Sequence, residues 1–92
     1  MEHTPISYDD FIYELENGIE HTNIDGIVCE HIAGFDADGA RTWVIVALIG
    51  DYWTWNATHR AHIHDGYYEC AKDTWCEAAR DAYYELLKHH WI

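Results

Sequence analysis

Thr42-Trp43-Val44-Ile45-Val46-Ala47-Leu48-Ile49 is the stretch that decides the fold. It is rich in β-branched and aromatic side chains, which suit an extended, pleated backbone. It is apolar at odd and even positions alike, so both of its faces must avoid water. Such a strand belongs at the centre of a sheet, with helix covering at least one side. On its N-terminal flank lies a second β-rich run, Ile27-Val28-Cys29-Glu30-His31-Ile32. Between the two, Asp36-Ala37-Asp38-Gly39 supplies a short polar loop ending in glycine, as a hairpin requires. On the C-terminal flank, Gly50-Asp51 turns the chain into Tyr52-Trp53-Thr54-Trp55-Asn56-Ala57-Thr58-His59, which alternates large and polar residues like a half-buried strand. The expected sheet is a three-stranded antiparallel meander.

Helices are expected on either side of it. Ser7 can cap a short N-terminal helix, with Asp10 three residues on and Asp9 at the positive end of the dipole. Tyr8, Phe11, Ile12 and Leu15 give that helix an apolar stripe, and Asn17-Gly18 ends it with a residue that accepts a left-handed cap. Ile19 to Gly26 is polar and reads as a loop. From Gly66 to about His90 nothing interrupts a helix whose inner face carries Tyr68, Trp75, Ala79, Ala82 and Leu86, with Ala71, Ala78 and Tyr83 at its edges. A shorter start at Thr74, with Glu77 completing a capping box, is the alternative. The fold class is therefore α+β, an α-β-β-β-α order with a long C-terminal helix packed on the sheet. All 92 residues fit one domain.

Composition narrows the function. Apolar residues make up 49% of the chain and aromatics 15%, enough for a folded core and too much for an acidic tail. The 17 acidic residues against 5 basic ones give a formal charge of −12, which repels phosphate and anionic lipid and draws the chain toward basic surfaces. Direct nucleic-acid binding and membrane binding are excluded on that ground. The three cysteines, Cys29, Cys70 and Cys76, are odd in number and form no CxxC, so no disulfide framework is expected. MEHTPISYDD lacks the basic and apolar regions of a secretory signal. A reducing cytoplasm is the expected setting.

The C-terminal segment carries a second pattern. Glu69, Asp73, Glu77, Asp81 and Glu85 recur every four residues, opposite the apolar face of the expected helix. Each step would advance about 6 Å along the axis. That is close to the several ångströms between successive phosphates on a nucleic-acid strand. Like charges at this spacing cost roughly 0.2–0.5 kcal/mol per pair, so a row of them suggests use in binding. Tyr84 lies amid the row and is the expected aromatic anchor. Asp9, Asp10, Glu14, Glu16 and Glu20 form a second negative patch, joined to the first only if the helices pack side by side.

Eight histidines raise the question of metal. His59, His62 and His64, with Asp65, form a cluster, and His62 and His64 would share a strand face; imidazoles with a carboxylate suit zinc. His89-His90 would finish the last helix favourably at its negative end, and His31 reads as a polar position on an exposed strand face. No Gly-rich phosphate loop, Walker lysine or GxSxG elbow is present, and no cofactor motif. The chain is expected not to be an enzyme.

In length, α+β character, charge and the Glu69 to Glu85 row, the chain resembles the small acidic phage-encoded proteins that inhibit host defence, the anti-CRISPR and DNA-mimic antirestriction proteins. The resemblance is one of class, and no motif carries it. It implies a partner with a basic nucleic-acid channel, such as a Cas subunit, inhibited by occlusion. The alternatives are a small metal-binding protein using His59, His62 and His64, and a homo-oligomeric interaction domain pairing through its aromatic sheet face.

Overall fold

In the computed structural model, which describes residues 4–37, 39–66 and 71–92, the elements run α1 (Tyr8–Glu16), β1 (Ile19–Thr22), β2 (Val28–Ala37), β3 (Ala40–Ile49), β4 (Tyr52–His59), β5 (His62–Asp65) and α2 (Trp75–Lys88). The strands form one antiparallel sheet in sequence order, β1-β2-β3-β4-β5. Strand β3 is central, as its double-sided apolar run requires, and it pairs with β2 from Glu30↔Ala47 to Ala37↔Ala40. Gly39 takes φ +75° at the turn, where an L side chain would be strained. On its other edge β3 pairs with β4 from Thr42↔His59 to Ile49↔Tyr52.

The sheet has five strands, which corrects the expected three-stranded meander. Both additions are four-residue edge strands with little buried surface, so neither carries an alternating apolar signal. Strand β1 lies in the segment expected to be a loop. It is held by register, Ile19 facing Ile32 and His21 facing Glu30, with His21 Nδ1 2.5 Å from the Glu30 carboxylate. A turn at Asn23 follows it and leads into β2, the side-chain oxygen accepting from the Asp25 and Ile27 amides at 2.9 and 3.1 Å. Strand β5 follows a two-residue turn whose residues, Arg60 and Ala61, both have positive φ, +47° and +67°. That geometry normally asks for Asn or Gly, and its absence left no hairpin signal to read.

The C-terminal helix is also shorter than the full-length expectation. It begins at Trp75, with Thr74 as its cap, the hydroxyl accepting from the Glu77 amide at 3.2 Å. Of the described residues before it, Gly66 and Lys72 bond to β4. Gly66 donates to the Trp55 carbonyl, and Lys72 exchanges both backbone hydrogen bonds with Trp53 at 2.8 and 3.0 Å. Tyr68, Glu69 and Cys70 lie outside the described residues. Helix α1 starts as expected, the Ser7 hydroxyl accepting from the Asp10 amide. Gly18 serves differently. Its φ is not positive, but a Cβ there would collide with the Ile32 and Glu14 carbonyl oxygens where the chain enters β1.

Both helices lie on one face of the sheet. Phe11 and Leu15 of α1, with Ala78, Ala79, Ala82, Tyr83 and Leu86 of α2, cover Ala33, Phe35, Val44, Val46, Trp55 and Ala57. The three alanines let α2 settle close to the strands. His31, expected on an exposed face, is buried on the helix side with its ring stacked 4.6 Å from Trp75. After α2 the chain reverses at His90, φ +59°, and the Trp91 amide bonds back to the Leu86 carbonyl at 2.9 Å. This returns Ile92 to the core. Among the described residues no helix is long and apolar enough to cross a membrane.

Candidate functional site

The two helices pack against each other as well as on the sheet. The Tyr8 ring meets Tyr83 edge-on at 5.4 Å and lies parallel to Tyr84 at 6.4 Å. Tyr83 is core and donates its hydroxyl to the Ile6 carbonyl at 2.7 Å, whereas Tyr84 points outward, 54% exposed. Glu16 lies close enough to Cys76 for its charge to act on the thiol. Glu16 of α1 and Glu77, next in the chain to Cys76 of α2, are thus both exposed where the helices meet, and Asp9 and Asp73 are exposed as well. The two acidic patches approach each other across the helix pair. Glu14 turns the other way and lines a groove with Gly18, Ile32 and Trp43; Asp10 is exposed.

The four-residue row is a different matter. Asp73 precedes the helix, and Glu77 stands exposed in its first turn. Asp81 is half-buried and accepts the Trp55 indole N–H at 2.8 Å, so it serves the fold. Glu85 is half-buried, with Lys88 3.8 Å from one carboxylate oxygen. Cations interrupt the series too. The Arg80 guanidinium sits 5.8 Å over the Tyr84 ring, and Lys72, Glu77, Arg80, Asp81 and Tyr84 line a shallow depression of about 260 Å³. What the helices present is an acidic area around an exposed tyrosine. The evenly spaced line of carboxylates does not form.

The surface offers charge more than reactivity. Burial, with Glu16 nearby, pushes the Cys76 thiol up, away from thiolate formation at neutral pH. Burial likewise raises the Tyr8 and Tyr83 phenols. Cys29 is half-buried and its thiol faces the His21 carbonyl at 3.5 Å.

The expected histidine trio does not converge. His59 stacks on Trp91 at 5.2 Å, and its Nδ1 lies 2.7 Å from the Thr42 hydroxyl. That hydroxyl spends its proton on the Trp91 carbonyl at 2.7 Å, so the imidazole is the donor in the first bond. His62 is exposed, across from His59 on the sheet edge. His64 turns toward the end of α2, where Glu85 and His89 bring their donor atoms to it. The spacing of Glu85 and His89, four residues apart on a helix, was visible in the sequence; their meeting with a strand residue was not.

Fold and surface together define a small α+β protein with an acidic helical layer. Comparison of the chain with protein-family models, curated proteins and solved structures finds no match.

Proposed function

We propose that the chain is a binding protein whose acidic helical layer docks on a positively charged, nucleic-acid-binding surface of another protein and occludes it. This is the action implied by its resemblance to anti-CRISPR and DNA-mimic proteins, and a Cas subunit is one such surface. The observation that carries the reading is the packing of α1 on α2, which brings Glu16 of one acidic patch to the first turn of α2, where Glu77 is exposed, with Tyr84 exposed further along the same helix. Carboxylates there pair with the Arg and Lys side chains that otherwise grip phosphate. Tyr84 is the desolvated anchor. Asp81 and Glu85 support this surface from within and do not touch the partner. A charge of −12 speeds encounter with such a partner and opposes self-association. The setting is a reducing cytoplasm.

The test uses the near-isosteric triple variant Asp9→Asn, Asp73→Asn, Glu77→Gln. A protein captured from bacterial lysate on the wild-type chain should lose its DNA or RNA when the chain is added. The triple variant should associate more slowly with that protein, with a flatter dependence on salt. A partner that keeps its nucleic acid, or that binds the variant as fast as wild type, would refute the occlusion reading.

A further inference from the structure

We propose that His64, Glu85 and His89 form a binding site for a single divalent transition-metal cation of the zinc type. One nitrogen from each imidazole and one Glu85 oxygen lie within 4.8 Å of one another, brought together where β5 meets the C-terminal end of α2. Two imidazoles and one carboxylate are a borderline donor set that suits zinc and its neighbours over calcium or magnesium.

The state of Glu85 is an independent pointer. One of its oxygens faces Lys88 at 3.8 Å. The other is buried and, among the described residues, accepts no hydrogen bond. A buried carboxylate oxygen left without a donor costs free energy, and a cation held by His64 and His89 supplies the missing charge. The walls are suitable. His64 lies against Trp55 at 5.0 Å and Trp91 at 6.3 Å, and its ring is 5.1 Å from that of His89. The indoles limit water on one side and keep the local polarity low, which strengthens coordination.

Zinc bonds of about 2.0–2.2 Å place tetrahedral donors roughly 3.4 Å apart, so the three groups must draw in by roughly 1 Å or a little more. His89 is exposed and Glu85 has a flexible side chain, so both can close on the more fixed His64 by rotation alone. Three protein ligands leave a fourth position for water or for a donor from outside. Because His64 sits on an edge strand, Glu85 on α2 and His89 at the cap that ends α2, the bound cation ties β5 to the end of the helix.

The experiment is titration of chelator-treated protein with zinc chloride by calorimetry, on wild type and on Glu85→Gln, His89→Ala and His62→Ala. Wild type should take up one equivalent, with binding at least tenfold weaker in Glu85→Gln and His89→Ala and unchanged in His62→Ala. Cobalt(II) added to wild type should give the intense visible bands of a four-coordinate site, a readout that needs no variant to fold. Absence of saturable one-to-one uptake by wild type would overturn the site. So would undiminished binding in Glu85→Gln and His89→Ala, or a loss confined to His62→Ala.

Discussion

The two faces of the sheet are cut from the same strands and live in different surroundings. Along β3, Thr42, Val44 and Val46 point toward the helices and are fully buried, while Trp43 and Ile49 point the other way, 44% and 50% exposed. Tyr52 and Ile63 extend the open face across β4 and β5. On the covered face several polar groups are matched within the fold, with Trp55 donating to Asp81, Thr42 to the Trp91 carbonyl and Tyr83 to the Ile6 carbonyl, while His31 Nδ1 is buried without a hydrogen bond among the described residues. On the open face polarity is handled by charges near water. Arg41 lies 5.3 Å over the Trp43 ring and pairs with Asp36, and glycine at Gly34 leaves room for both side chains. Apolar composition is thus shared by the faces, and coverage is what separates core from surface.

The largest effect that would break this contrast is truncation of a covered residue. Leu86 has no exposed surface and ties α2 to the strands. Leu86→Ala should cost about 2–5 kcal/mol in urea unfolding, since transfer and cavity terms add. A loss below about 1 kcal/mol would mean the helices cover the sheet without packing on it. Asp81 comes next. Asp81→Ala strips the Trp55 indole of its acceptor, which should lower stability by about 1–3 kcal/mol. Partner binding should survive in the folded fraction. The reverse result, normal stability with lost binding, would restore Asp81 to the interaction surface.

How far the sequence reveals this arrangement differs from element to element. Helix α1, the β2–β3 hairpin and β4 each announce themselves locally, through the Ser7 cap, the glycine that ends Asp36-Ala37-Asp38-Gly39 and the alternation after Tyr52, although Asp36 and Ala37 belong to β2 and pair with β3 instead of lying in the loop. Strands β1 and β5 do not, because an edge strand whose residues are mostly exposed has no apolar period, and because Arg60 and Ala61 make a tight turn without turn residues. The start of α2 depends on Lys72 pairing with Trp53, a long-range bridge that no window of sequence contains. The acidic row fails for the same reason. A period of four tells which residues share a helix face, but only the fold shows that Asp81 has a buried indole and Glu85 two histidines as neighbours. The approach of the α1 and α2 patches likewise had to wait for the helix packing.

The smallest expected effect lies on the open face, at the Asp36–Arg41 pair. These residues face each other across β2 and β3, and the guanidinium donates to both carboxylate oxygens at 3.0 Å. The hydrogen bonds from Arg41 hold the Asp36 carboxyl below the usual carboxylate range. Because the folded value is depressed, the stabilisation is present above the unfolded value of about 3.9 and disappears as pH falls through the folded one. Asp36→Asn should therefore lower the thermal midpoint slightly at neutral pH, and the difference should fade as pH drops through the depressed value and the wild-type carboxyl loses its charge. Both groups are well exposed, so the neutral-pH difference should shrink further in high salt. A midpoint difference that survives at low pH and high salt would show that Asp36 stabilises by packing, and the open face would then resemble the covered one more closely than its exposure suggests.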